Sequence, residues 1–308
     1  MLEHILEVKN VSKMYGAKYA LRNINFNIFS GEIFGIVGPK GSGKSTLMHI
    51  IAGLVHPTEG EVNIAGVSVE NNFEKAVAML GSCLDNVNMY KYMTAKQNLT
   101  YTAKLYSSMS KQHIIDTLNV VGLQNHINES VSQFSPSMVQ QLALAQALVH
   151  QPKLVILDEP LKNLNDNLIS RFNQILRSLS IEKKMSFLIS SNNLSDIEKL
   201  CDTVAFFDNG TILETRTMNK IKQDLNANSR YRITLNYPNY SAKTIYLKYS
   251  IPVEVAGNSI LVPYDKKMLS QIVESLRARD IQIYDIKAES KTLEDIYIDI
   301  LKSRRTSN

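Results

Sequence analysis

Two short runs carry residues of the types and spacing that phosphate chemistry requires. The first is GPKGSGKS, Gly38 to Ser45, which fits G-x-x-x-x-G-K-[ST]. Residue frequencies alone would produce that pattern in about one chain of this length in a hundred. Its glycines, Gly38, Gly41 and Gly43, permit φ values closed to other residues and let successive backbone N–H groups turn inward at phosphate oxygens. A helix beginning at the end of the run adds its N-terminal dipole. Lys44 supplies a point charge to the β- and γ-phosphates, and Ser45 a hydroxyl to Mg2+. The candidate phosphate-binding residues are thus Gly38, Pro39, Lys40, Gly41, Ser42, Gly43, Lys44, Ser45 and Thr46. The plainer alternative is a glycine turn that merely opens a helix.

The second run is LVILDEP, Leu154 to Pro160. An apolar strand ending in two acids can hold a metal shell with the first, Asp158, and polarise an attacking water with the second, Glu159. Paired acids at a strand end also serve as helix caps, so this motif gains its meaning from the phosphate loop upstream.

Both runs need a scaffold that ends strands at one place. IFGIVG (residues 33–38) is nearly continuous in apolar residues, as in a strand buried on both faces, and STLMHIIAGL after the loop has helical spacing. ILEVKNV and LRNINFNIF alternate, predicting two antiparallel edge strands, and GEVNIAG returns to strand. Residues from about 88 to 150 are rich in helix formers and predict a helical insert. LVILDE, SFLISSN and TVAFFDNG follow as strands, with helices between them. Alternation of this kind predicts an α/β fold with a mostly parallel, doubly wound sheet. IKQDLNANSR (221–230) is polar and predicts a linker between a domain at 1–220 and a small α+β domain at 231–308. In the latter, TIYLKYS, VEVAG and SILVPY predict strands, followed by a helix near 265–278, the strand IQIYDIK and a last helix from about Leu293.

Totals narrow the function classes. With 308 residues, 44% of them hydrophobic, a full core is available. The formal charge of +5, from 34 basic against 29 acidic residues, is spread out apart from KSRR near the end, which gives nucleic-acid binding little support. Cys83 and Cys201 have no metal-ligand spacing and predict reduced thiols in the cytoplasm. The first residues lack the apolar core of a signal peptide, and no window offers about 18 to 20 uninterrupted apolar residues. Any membrane role therefore calls for a partner chain.

The two motifs, their order and the run FSPSMVQQLALAQALVH (134–150) resemble the ATP-binding subunit of an ABC transporter, over about residues 3 to 218. The resemblance implies a P-loop NTPase fold, Mg2+ and ATP as cofactors, ATP hydrolysis coupled to transport, a second ATP-binding subunit in a dimer, and a membrane-spanning partner at the inner face of the cell membrane. It implies that Tyr15 of KMYG stacks on adenine; the alternative is a buried tyrosine at a strand end. Size and the terminal TLEDIYIDI resemble subunits serving export and self-protection against toxic peptides or antibiotics.

Departures from the family pattern are expected to slow hydrolysis. Asp85 stands where the family has a glutamine that touches Mg2+ and the attacking water, and a carboxylate cannot donate there. Asn192 replaces the switch histidine and cannot carry a proton. Asn163, Leu164 and Asn165 replace Ala-Leu-Asp, removing a carboxylate usually placed at the dimer interface. The signature Leu-Ser-Gly-Gly-Gln reads Phe134, Ser135, Pro136, Ser137, Met138. Ser135 and Pro136 suit a helix start, but Pro136 lacks an N–H and both Pro136 and Ser137 add bulk at the phosphate clamp. These substitutions set a rival expectation, a regulatory subunit paired with an active ATPase chain, against the intact Glu159.

Overall fold

The computed structural model describes residues 3–84, 89–106, 109–162, 164–263, 265–289 and 292–305. The chain divides into two compact units, 1–218 and 219–308.

In the first unit the order is β1 (His4–Tyr15), β2 (Lys18–Phe29), β3 (Ile33–Val37), α1 (Lys44–Ile51), β4 (Glu59–Ile64), β5 (Val67–Ser68), α2 (Phe73–Val77), β6 (Leu80–Cys83), α3 (Ala95–Ala103), α4 (Lys111–Val120), α5 (Pro136–Leu148), β7 (Leu154–Asp158), α6 (Asp166–Lys183), β8 (Ser186–Ser191), α7 (Leu194–Leu200), β9 (Thr203–Asp208) and β10 (Thr211–Thr217). Six strands form one sheet in the order β10-β9-β3-β8-β7-β6. Every pair from β9 through β6 is parallel, and β10 closes the other edge antiparallel to β9. Residues of β3 and β8 are buried throughout, which is why their sequences run without polar alternation. The antiparallel strands expected near the N-terminus make a sheet of their own with β4 and β5, in the order β2-β1-β4-β5.

One core joins the two sheets and α1: Leu6, Ile28 and Ile64 from the antiparallel sheet, Leu47 and Met48 from α1, and Phe34, Ile156 and Leu188 from the parallel one. Each such side chain contributes about 1.5–3 kcal/mol by leaving water. Within the insert, α3 opens on a reciprocal capping box between Thr94 and Gln97. α5 opens on Ser135, whose Oγ accepts from the Met138 N–H, with Pro136 in the first turn.

The expected linker is helical. α8 (Met218–Asn228) begins where the units divide; it buries Met218 and Ile221 three residues apart and pairs Lys220 with Asp224 at 3.2 Å. Its polar composition is that of a helix with one buried edge.

In the second unit, β11 (Arg230–Leu235), α9 (Pro238–Tyr249), β12 (Glu254–Ala256), β13 (Ser259–Pro263), α10 (Lys266–Arg277), β14 (Ile283–Glu289) and α11 (Leu293–Arg305) build an antiparallel sheet in the order β12-β13-β11-β14. TIYLKYS, expected as a strand, is the second half of α9. Pro238 sits in its first turn and the buried residues are Ser241, Ala242 and Ile245, a helical spacing that the period-two alternation of TIYLKYS hides. Ile233, Ile245, Ile260, Ile272 and Leu276 form this unit's own core.

Candidate nucleotide-binding site

The C-terminal ends of β3, β8 and β7 lie side by side, because β8 pairs with both neighbours: Val37 stands opposite Ser191, and Asp158 opposite Ser190. Ends of parallel strands are where such sheets hold ligands. There they line a cavity of ≈ 960 Å3 whose wall includes Tyr15, Lys40, Lys44, Ser45, Asp158 and Asn192.

The phosphate loop is locked from outside. The Ser42 N–H donates to the Pro39 carbonyl at 3.2 Å and the Gly210 N–H to the Ser42 carbonyl at 2.7 Å. Gly43 has φ +108° and a Cβ there would come within 2.7 Å of the Ala20 carbonyl; at Gly38 a Cβ would meet the Phe207 carbonyl at 2.1 Å. Close backbone approach therefore demands glycine at both positions, and at Gly43 the positive φ does so as well. Lys44, 5% exposed, donates to the carbonyls of Gly38 (2.8 Å) and Pro39 (3.0 Å) and to Oδ1 of Asn192 (2.8 Å). Burial lowers its ammonium pKa, and the charges of Glu159 and Asp158 oppose that shift.

Ser45 Oγ donates to Oδ2 of Asp158 at 2.6 Å, and Ser190 Oγ donates to Oδ1. Glu159 has φ +50°, in the left-handed region, and its N–H donates to Ser190 Oγ at 3.0 Å. Backbone in that region costs a non-glycine residue about 1–3 kcal/mol. Tyr15 is 54% exposed and lines the cavity, so the buried-tyrosine alternative does not describe it.

The residues present fit a magnesium nucleotide. The loop offers buried Lys44, a buried Ser42 hydroxyl with no partner, and adjacent hydroxyl and carboxylate groups at Ser45 and Asp158. Among the described residues no group of three or more His, Cys, Asp or Glu could hold a metal alone, so an ion at Ser45 and Asp158 would complete its shell from nucleotide and water.

Other expected positions fall elsewhere. Ser135, Pro136, Ser137 and Met138 begin α5 but are not in the cavity wall, to which that helix contributes Gln140. Ser135 Oγ and Ser137 Oγ are 2.9 Å apart. Asn165 caps α6, accepting from the Leu168 N–H at 3.0 Å, work an aspartate would do equally well. Asp85 and Asn163 lie outside the described residues. Sequence reasoning missed Lys18, Tyr19 and Lys162 in the wall. The signal for the first existed, since Lys18 pairs with Tyr15 across the hairpin.

Cys83 also lines the cavity, yet is buried, and burial, helped by the charge of Asp158, pushes its thiol pKa up to about 11. At pH 8 only about one thiol in a thousand would then be thiolate, against roughly a quarter for a free cysteine. Alkylation of Cys83 by iodoacetamide, followed by mass spectrometry, is expected to run about 200-fold slower in the native protein than in denaturant. Equal rates would contradict that environment.

A family model described as ABC transporter matches residues 21–162. Over 299 residues the chain is 30% identical to the uncharacterized ABC transporter ATP-binding protein YhcH of Bacillus subtilis, covering 97% of this chain and 96% of that protein. It is 34% identical to the bacitracin transport ATP-binding protein BcrA of Bacillus licheniformis, covering 71% and 72%, and 35% identical to the lantibiotic transport ATP-binding protein SrtF of Streptococcus pyogenes, covering 68% and 89%. Among solved structures it resembles the dimeric post-hydrolysis state of an ATP-binding cassette bound to ADP and Pi, at 26% identity and a TM-score of 0.64, covering 69% of this chain and 98% of that one. With the phosphate loop, the acidic strand end and the two-sheet cassette in their expected relation, the chain belongs to the ABC transporter ATP-binding proteins, ATPases whose hydrolysis is coupled to transport.

Proposed function

We propose that this subunit binds Mg2+-ATP at the cavity above β3, β7 and β8, hydrolyses it slowly, and works as one half of a heterodimer on a membrane-spanning partner at the inner face of the cell membrane. The single observation carrying the site is the convergence of Lys44, Ser45, Asp158 and Glu159 at adjacent strand ends. Bound with the nucleotide, Mg2+ would screen the phosphate charge and orient the γ-phosphate. Ser45 and Asp158 would hold that ion, Lys44 would grip the β- and γ-phosphates, Tyr15 would support the base, and Glu159 would take the proton of the attacking water.

Family cassettes dimerise, and in a head-to-tail pair each nucleotide lies between one subunit's loop and the other's signature. Pro136 and Ser137 then weaken the clamp this chain offers its partner's nucleotide, while Asp85 and Asn192 weaken water positioning at its own. Loss of one preorganised transition-state contact costs about 10²–10³ in rate. A homodimer would carry every defect twice, whereas a heterodimer distributes them. The intact Glu159 keeps the site catalytic and not purely regulatory.

Relatives named for bacitracin and lantibiotic transport support an export role against toxic peptides or antibiotics. Among the described residues no helix is long and apolar enough to cross a membrane, so translocation belongs to the partner chain. Affinity purification from native membranes with mass spectrometry tests the assembly. A polytopic chain and a second ATP-binding chain should co-purify; recovery of this chain alone would overturn the proposed complex.

A further inference from the structure

We infer that Ser190 is a positioning residue for both acids of the site, acting through Asp158 on the metal and through the backbone of Glu159 on the catalytic carboxylate. The inference rests on the reading of Asp158 as the metal-side acid and Glu159 as the base. Its observations are separate: Ser190 is 0% exposed, stands opposite Asp158 in the β7–β8 register, donates to Asp158 Oδ1 and accepts from the Glu159 N–H at 3.0 Å.

The geometry leaves the hydroxyl little choice. A serine oxygen has one hydrogen to give, and here it goes to Asp158; its lone pairs face the Glu159 N–H. With Oδ1 taken by Ser190, the other oxygen of Asp158, Oδ2, is the one turned to Ser45, where a metal would bind. The terminal torsion of an aspartate is broad and roughly two-fold, so a carboxylate held on one side by Ser45 alone could swing. Ser190 fixes it before a metal arrives.

At Glu159 the contribution is different. That residue holds φ +50°, and the bond from its N–H to Ser190 ties the turn between β7 and Pro160 to the neighbouring strand. Losing the acceptor would leave the N–H unsatisfied at a position already costing about 1–3 kcal/mol in backbone strain. Relaxation of this turn would move the Glu159 carboxylate relative to the cavity, with no change to the phosphate loop itself.

The neighbouring Ser191 gives an internal comparison. It is equally buried in kind, 7% exposed, but its Oγ accepts from the Asn193 N–H at 2.9 Å and lies 3.4 Å from Asp196, away from both acids.

The experiment uses the full chain with a fluorescent ATP analogue, titrated in EDTA and across a Mg2+ series, beside single-turnover hydrolysis. Ser190→Ala should leave affinity in EDTA unchanged, raise the Mg2+ concentration needed for half-maximal hydrolysis about tenfold, and lower the maximal rate at least tenfold. Ser191→Ala should move neither the EDTA affinity nor the Mg2+ requirement. An unaltered Mg2+ requirement in Ser190→Ala, or equal losses with and without Mg2+, would overturn the positioning role. Failure of the wild-type chain to bind nucleotide at all would instead overturn the reading of the site on which the inference rests.

Discussion

Lys44→Ala is expected to weaken Mg2+-ATP binding about 100-fold. The ammonium is buried among Gly38, Pro39 and Asn192, at the ends of the strands that carry Asp158 and Glu159. A charge-assisted hydrogen bond contributes about 1.5–3 kcal/mol, so losing contacts to two phosphates amounts to about 3 kcal/mol, or about two decades of affinity. The loop itself should survive, because Ser42, Pro39 and Gly210 are bonded through backbone atoms that the substitution does not touch. Fluorescent-ATP titration, with thermal unfolding as a control for folding, checks this. Equal affinities for the two proteins would remove the phosphate site from the account.

The second large effect concerns which site turns over in the assembled complex. In the proposed heterodimer with a consensus chain, the nucleotide on this chain's loop would meet a good signature, but this chain's sequence has Asn192 and Asp85 in place of the family's histidine and glutamine. The partner's nucleotide keeps its own histidine and glutamine and faces only the clamp formed by Ser135, Pro136, Ser137 and Met138. Weakened γ-phosphate grip is the lesser defect, since the water-positioning groups remain. Glutamate-to-glutamine substitution at the partner's base should therefore cost the complex about 10²-fold or more in ATPase rate, and Glu159→Gln less than about threefold. Phosphate release from complexes carrying one substitution at a time gives the comparison. A greater loss from Glu159→Gln would refute the asymmetry, as would isolation of a homodimer.

The elements that hold the site were the legible ones. IFGIV and the LVIL of LVILD are buried on both faces, so their continuous apolar runs identify them without knowledge of their neighbours, and SFLISS, equally buried, keeps an apolar FLI centre between serines. Lys44, Ser45 and Asp158 were legible for a different reason, because phosphate and metal chemistry fixes residue type and local spacing together. Ser190 was not. Its importance arises from the register of β8 against β7, between segments some thirty residues apart, and a serine in an apolar strand carries no local mark of that. Lys18 and Tyr19 enter the cavity through a hairpin whose turn, not whose composition, aims them. In the second unit, TIYLKYS alternates like a strand, yet Pro238 and the spacing of Ser241, Ala242 and Ile245 make it helical, so a window six residues longer was needed. The segment from Ile221 hid a helix because, of its side chains from Ile221 to Leu225, only Ile221 is buried.

The claim at the centre of this account is that a sound phosphate site is coupled to impaired water positioning, and Asn192 is where that is most accessible to test. In the structure its Oδ1 accepts from Lys44, while it cannot supply the charge or proton of a histidine. Steady-state ATP turnover by the purified full chain, wild type against Asn192→His, is the direct measurement. The account predicts slow turnover in the wild type and a rise of about tenfold in Asn192→His, less than one restored contact could give because the altered signature and Asp85 remain. Turnover unchanged by the histidine, or a wild-type rate equal to that of a consensus cassette measured alongside, would contradict it.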